Sequence, residues 1–409
     1  MLKVNPSKMC QLVGAVLATL GVENAIPLIH GSQGCANFVK HLMSRHFKEP
    51  IEVATTALNE KVIARGGEEN LVKAIRNLKE RHDPDLIVVM TTCLTETIGE
   101  NVRIAERFDG VVVVNTPSYA GIHLHGFDRT VEAMLSICEN GEKTERINII
   151  TGFVNPGDVE ELRRICNWID YTFLTDVSAL DRPILKRRRS ETTVEDIRNC
   201  ANSIATICFG MEGLSGARFL EGFGVPCYEL KFPIGIENTD RFIMTLARIA
   251  EVEVPDRILD YRAYALDGII DANHVLRGKR VAIFGDPDKV IALTEFALEM
   301  GMRVVAVLSP IRTKHFSATI ERIAGRNVKV FEDSDLYTLH KFIKQNPVHI
   351  LIGDYRGRYI ASEERIPLLR VGFPICDRFG YHRKPMLGYG GALRMAEEMA
   401  NLLVSGCYG

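Results

Sequence analysis

The chain has 409 residues, a formal net charge of −2, 25% charged and 46% hydrophobic residues. That length exceeds one ordinary core and predicts two to four domains, and the composition excludes a disordered chain. The near-neutral balance leaves no basic excess that would point to a nucleic acid as main partner. The start, MLKVNPSKMC, lacks the apolar stretch of a signal peptide, and no apolar run reaches the ~18 residues a membrane span needs. A cytoplasmic protein without membrane or nucleic-acid partners is therefore expected, in which the ten cysteines are thiols, metal ligands or redox groups rather than a disulfide framework.

In chain order, short apolar runs end in polar or glycine-containing turns and alternate with helical patterns. They are Leu86–Met90, Val111–Val114, Ile147–Ile150, Val281–Phe284, Val304–Leu308 and Ile350–Ile352. Strands covered on both faces of a parallel sheet read this way, so the class is α/β, repeated. Boundaries near Asn140-Gly141 and Arg277-Gly278 divide the chain into three doubly wound units, 1–142, 143–277 and 278–409. The run Lys186-Arg-Arg-Arg189 reads as a solvated loop. Nucleotide signals are negative: there is no G-x-x-x-x-G-K-S/T, and neither Gly285-Asp286-Pro287 nor Gly388-Tyr389-Gly390-Gly391 completes G-x-G-x-x-G. The Gly-Asp-Pro reads as a plain βα turn, and any ATP hydrolysis belongs to another protein.

The informative constellation lies in the first hundred residues. Cys10 follows Asn5-Pro-Ser-Lys8, Cys35 closes His30-Gly-Ser-Gln-Gly-Cys35, and Cys93 stands just past the strand Leu86–Met90. Gly31 and Gly34 leave room beside Cys35 for a bulky inorganic group, and Gly99 ends the third loop. Spacing alone leaves a shared metal site and inert buried thiols both open. If the three cysteines do share an iron–sulfur cluster, three thiolates leave its shell incomplete, which points to a subunit interface. Ser32, Gln33 and Thr92 are candidates for hydrogen bonds to sulfur, against a role in the turn backbone. His30 reads more simply as a packed loop histidine than as a proton carrier.

These motifs resemble the β-type subunit of nitrogenase component 1 and its relatives. The likeness runs through NPSKMCQ, the stretch from Gly21 to Cys35, RHFKEP from Arg45, TTCLTETIGEN from Thr91 and NTPSYAG from Asn115. It continues through Pro233–Asp240, Ile283–Asp288, Val371–Arg378 and Leu387–Ala392. The resemblance implies three Rossmann-like domains and an α-type partner, usually doubled to an α2β2 heterotetramer. It also implies that Cys10, Cys35 and Cys93 hold half of an iron–sulfur cluster of the eight-iron P-cluster type, or a four-iron cluster. Ser118 matches a serine that can ligate the oxidised cluster. On chemistry alone a turn role for Ser118 is simpler. Cys138, Cys166, Cys200, Cys208, Cys227, Cys376 and Cys407 match no such motif and are assigned to packing.

In this family the β-type subunit relays electrons from an ATP-dependent iron protein to a further metallocluster in the α-type partner. The chain starts close to Cys10, without the long arm of nitrogenase β-subunits, and Thr55–Glu60 resembles the cofactor-assembly scaffold. Three thiolates, however, suit an electron relay. This mixture favours a nitrogenase-like reductase, with methylthio-alkane reductase and its carbon–sulfur cleavage as first choice. The scaffold subunit and a tetrapyrrole-type reductase are the alternatives.

Overall fold

The computed structural model describes residues 4–181 and 190–405. The basic run Lys186–Arg189 and Cys407 lie outside these residues. Three all-parallel sheets follow one another along the chain.

Helix α1 (Gln11–Leu20) is buried on every side from Gln11 to Thr19, as expected of a helix apolar all round. It leads into a sheet of β1 (Ala25–His30), β2 (Ala54–Thr55), β3 (Leu86–Thr91) and β4 (Val111–Val114), in the order β2-β1-β3-β4. The connecting helices are α2 (Gln33–Phe47), α3 (Glu60–Ile63), α4 (Glu68–His82), α5 (Cys93–Ile98) and α6 (His123–Leu135). α1 packs along α6 at two glycines. A Cβ on Gly14 would stand 1.8 Å from the His123 carbonyl oxygen, and one on Gly126 2.0 Å from that of Gln11.

The second sheet holds β5 (Ile147–Ile150), β6 (Tyr171–Phe173), β7 (Ala205–Phe209) and β8 (Cys227–Leu230), ordered β6-β5-β7-β8. Around it run α7 (Pro156–Cys166), α8 (Val194–Asn199), α9 (Ser215–Glu221), α10 (Ile236–Ala250) and the long α11 (Asp256–Leu276). The third sheet comprises β9 (Arg280–Phe284), β10 (Arg303–Leu308), β11 (Lys329–Phe331), β12 (Ile350–Gly353) and β13 (Leu368–Arg370), in the order β11-β10-β9-β12-β13. It is accompanied by α12 (Pro287–Glu299), α13 (Phe316–Ala324), α14 (Leu336–Gln345), α15 (Arg358–Glu364) and α16 (Gly388–Ser405).

Each sheet reverses its strand order once: between β1 and β3, β5 and β7, and β9 and β12. Doubly wound folds open a crevice at such switch points, beyond the carboxyl ends of the strands. The units are not independent beads. One continuous apolar core includes Val88, Ile149, Ile207, Val281 and Ile352, from all three sheets. α16 turns back to pack on α11, α7 and α10, and Asp158 of α7 accepts the backbone N–H groups of Met386 and Leu387 just before it, at 2.6 and 3.2 Å. His46 of α2 accepts from the Ile375 N–H at 2.9 Å through Nδ1 and meets Asn155 Oδ1 at 2.8 Å through Nε2. The segment ahead of Cys10 is seated on the third unit. Val4 N donates to Asp335 Oδ2 at 2.6 Å, Leu336 N to Asn5 O at 3.4 Å, and Arg356 Nη1 to Pro6 O at 3.2 Å.

Candidate metal centre

The first switch point carries the thiols. Cys35 lies in the opening turn of α2, just beyond β1, and Cys93 is the first residue of α5, just beyond β3. Cys10 caps the N-terminus of α1, and Ser118 follows β4 in a short turn. Cys10, Cys35 and Cys93 are each half-buried. The loops are built locally. Thr92 and Thr95 form a capping box on α5, Gly99 stops that helix in the left-handed region at φ 70°, and the Thr92 and Thr95 hydroxyls both reach the His30 carbonyl at 3.3 Å. A Cβ on Gly31 would lie 2.4 Å from the Thr92 Cγ2, so that glycine serves the packing of one loop on the other. On Gly34 it would meet only Ser32 Oγ, at 3.7 Å, and that side stands open.

The sulfurs sense one another. Burial raises the Cys10 thiol, and the nearby sulfurs of Cys93 and Cys35 add to this, while the N–H groups of Leu12 and Gln11 oppose it. Cys93 behaves differently. What burial it has pushes its thiol up, yet the Ser118 hydroxyl at 2.9 Å and backbone N–H at 3.1 Å, together with neighbouring amides, hold it below the ordinary cysteine range. Ser32 Oγ lies 3.6 Å from Cys35 Sγ. The three Sγ atoms do not all fall within 4.8 Å of one another. A single tetrahedral ion with metal–sulfur bonds of ~2.3 Å would need them closer, so the three sulfurs as they stand do not make a mononuclear site.

Among the described residues, the His, Cys and carboxylate ligands that do lie this close are His340, Glu363 and Glu364. Lys344 stands 3.6 and 3.9 Å from those carboxylates, supplying the positive charge itself. His30 is a packed residue: fully buried, it meets Thr56 Oγ1 at 3.1 Å and Glu100 Oε2 at 2.5 Å. Burial lowers its pKa against the pull of Glu100. Thr92 is occupied by its turn, whereas Gln33 is exposed.

Sequence reasoning missed three features. Phe38, Ile98 and Tyr119, within a few residues of the thiols and Ser118, are 51%, 40% and 67% exposed. Exposure of large apolar groups cannot be read from the sequence before the loops are placed. Secondly, Asp286 of the Gly-Asp-Pro turn is the N-cap of α12. It stands 3.1 Å from both His123 Nε2 and Lys289 Nζ. Burial would raise its carboxyl, but Lys289 and His123 hold it well below the usual carboxylate range. Thirdly, Cys138 meets Cys200, and Cys208 meets Cys227, with Sγ separations of 3.2 and 3.3 Å. No C-x-x-C spacing announces either pair.

The other two switch points are filled. Phe153 packs edge-on against His123, Phe127 and Phe373 at 4.8, 6.3 and 5.2 Å between ring centroids. The cavities left beside Gly152 and Glu212 and beside Gly285 and Arg356 are each ≈20 Å³.

The sequence profile of the family described as Nitrogenase component 1 type Oxidoreductase matches residues 10–404. The chain belongs to this family. It is 38% identical to the nitrogenase molybdenum-iron protein beta chain of Clostridium pasteurianum, over 98% of this chain and 93% of that one. It is 35% identical to the nitrogenase vanadium-iron protein beta chain of Trichormus variabilis, over 98% and 94%. The solved structure described as nitrogenase Cp1 at pH 6.5 superposes with a TM-score of 0.94 at 37% identity, covering 99% of this chain and 94% of that one. The protein is thus a β-type subunit of a nitrogenase-family oxidoreductase, and its three parallel-sheet units are the Rossmann-like domains expected. One expectation needs correction. Nitrogenase β chains are themselves covered to 93% and 94%, so a start close to Cys10 does not set this chain apart from them.

Proposed function

We propose that this subunit is an electron relay in which Cys10, Cys35 and Cys93 hold one half of an iron–sulfur cluster shared with an α-type partner. The observation that carries the reading is that three thiols stand at three separate helix starts, with the Cys35 and Cys93 sulfurs near enough to Cys10 to raise its thiol. Three thiolates leave a polynuclear cluster short of donors, and the exposed Phe38, Ile98 and Tyr119, a few residues from the thiols or Ser118 in sequence, offer apolar surface for another subunit. When bound, the cluster supplies one-electron transfer between an ATP-dependent iron protein and a metallocluster in the partner. This chain's own residues prepare the ligands. The amides at the start of α1 favour an anionic Cys10 sulfur, and the Ser118 N–H and O–H do the same for Cys93. On this reading Ser118 Oγ, 2.9 Å from Cys93 Sγ, would serve as a further oxygen donor when deprotonated.

The packed second and third switch points support siting the substrate-reducing metallocluster in the partner. An α2β2 heterotetramer with an eight-iron or four-iron interface cluster follows from this reading. Domain cuts at 142/143 and 277/278 fall between consecutive sheets. A reducing, cytoplasmic setting suits the nine described cysteines, all free thiols, and among the described residues no helix is long and apolar enough to cross a membrane.

The test is iron and sulfide counted per αβ pair. Cys35→Ala should lose most of the cluster iron and weaken partner association, whereas Cys376→Ala should keep both. Unchanged iron in Cys35→Ala refutes the assignment. The methylthio-alkane reading gains nothing from the fold or from the relatives named above. Offering the reconstituted complex dinitrogen and a methylthio-alkane in parallel decides it: thiol and hydrocarbon products restore that reading, and ammonia alone removes it.

A further inference from the structure

Away from the cysteine face, Cys138 stands three residues beyond α6 and Cys200 directly follows α8. Their Sγ atoms are 3.2 Å apart, and both thiols also reach the Ile197 carbonyl, at 3.1 and 3.0 Å. Beside them the Glu139 N–H donates to Arg198 O at 2.8 Å, so the two segments are held together by backbone as well. Cys138 is half-buried between exposed Ser136 and Glu139, while Cys200 is 2% exposed. The arrangement is an outer thiol open to a small reagent with an inner thiol directly behind it.

The other pair provides an internal control. Cys208 in β7 and Cys227 in β8 also touch, but the strand register sets Cys227 opposite Thr206 and Cys208 opposite Glu229. Diagonal neighbours on adjacent strands have Cα atoms roughly 7–8 Å apart, beyond the ~7 Å that a disulfide spans without backbone movement. Cys138 lies past the turn that follows α6 and Cys200 opens a short 3-10 helix, so neither is held in a strand ladder.

We propose that Cys138 and Cys200 form a dithiol oxidised by hydrogen peroxide to a disulfide, which staples the end of α6 to the turn after α8. The Cys138 sulfur attacks one peroxide oxygen and the O–O bond breaks, giving a sulfenic acid and hydroxide. The Cys200 sulfur then attacks the sulfenic sulfur, the S–O bond breaks and water leaves as the S–S bond forms. The two thiols together lose two electrons and two protons, and one peroxide becomes two waters. The order follows from the contact: the hydrogen bond from Cys200 lowers the Cys138 thiol against the opposing effect of burial, and the Cys200 thiol is raised. The bond would span 62 positions of sequence, tying a helix of the cluster-bearing domain to the second domain.

The intact complex is treated with a small excess of peroxide, alkylated, digested and read by mass spectrometry, so cluster damage does not enter the readout. The expected result is a Cys138–Cys200 cross-linked peptide with Cys208 and Cys227 still alkylated. It should be accompanied by a thermal midpoint several degrees higher, reversed by dithiothreitol. Cys138→Ser, at the more accessible position, should abolish both link and shift. The proposal is overturned if both thiols remain alkylated after peroxide, if Cys138 is recovered only as a sulfinic acid, or if Cys208 and Cys227 link instead.

Discussion

At the scale of single residues, the surroundings treat two of the candidate thiols oppositely. Cys93 receives the Ser118 hydroxyl and backbone N–H, whereas Cys10 is raised by burial and by its sulfur neighbours. Ser118→Ala removes the hydroxyl donor and keeps the amide, so the Cys93 thiol of the iron-free chain should move up toward the ordinary cysteine value. Iodoacetamide alkylation of Cys93 near pH 7.5 should then slow several-fold, with its pH midpoint displaced upward; an unmoved midpoint would show that the hydroxyl does not tune this thiol. Cys35 and Cys93 stand out in the sequence beside a glycine and a strand end, and Cys10 within NPSKMCQ, which is what makes them candidates. Cys138 and Cys200 do not stand out, because only folding makes neighbours of positions 62 apart.

At the scale of elements, strands buried on both faces were easy to read and edges were not. Leu86–Met90, Val111–Val114 and Val281–Phe284 fall on β3, β4 and β9 as unbroken apolar runs. β1 was hidden by Pro27 and His30, yet β2 pairs only with Leu28 and Ile29 of this strand. That leaves an open edge at Pro27, where a residue without an N–H is tolerated. β8 is a partly exposed edge strand carrying the exposed Glu229, so it lacks an apolar signature. The contact between α1 and α6 likewise rests on what is absent. Gly14→Ala would drive a Cβ to 1.8 Å from a backbone oxygen, and overpacking of this kind costs about 1–3 kcal/mol. The thermal midpoint should fall by several degrees and iron occupancy should drop with the displaced Cys10. Gly34→Ala, which meets only Ser32 Oγ at 3.7 Å, should leave the midpoint within a degree; equal losses in the two variants would refute the helix-contact argument.

Across the whole molecule, His46 is the joint on which three domains meet. Its ring contacts Phe47 and Phe373, and its two nitrogens bond Asn155 and Ile375. The RHFKEP motif thereby acquires a physical reason. Burial lowers the ring to about 3, with His382 and Lys48 adding to that and the Asn155 bond opposing it. Between that value and the ~6.5 of a free histidine, the unfolded chain binds the proton that the folded chain refuses. Stability should therefore drain away as pH falls from about 6.5 toward 3, and it is fully present above that window. Urea midpoints between pH 7 and 4 check this, with His46→Gln expected to flatten the slope.

The seating of residues 4–6 on Asp335, Leu336 and Arg356 links the start of the described chain to loops made more than three hundred residues later. During synthesis α1 and the Met9 carbonyl, which accepts the His123 N–H at 3.0 Å, can settle with Cys10 on the first domain, whereas residues 4–6 find their partners only once the third domain has left the ribosome. A subunit cut short of the third domain would therefore keep Cys10 at the start of a seated α1 but leave the few residues ahead of it without their partners.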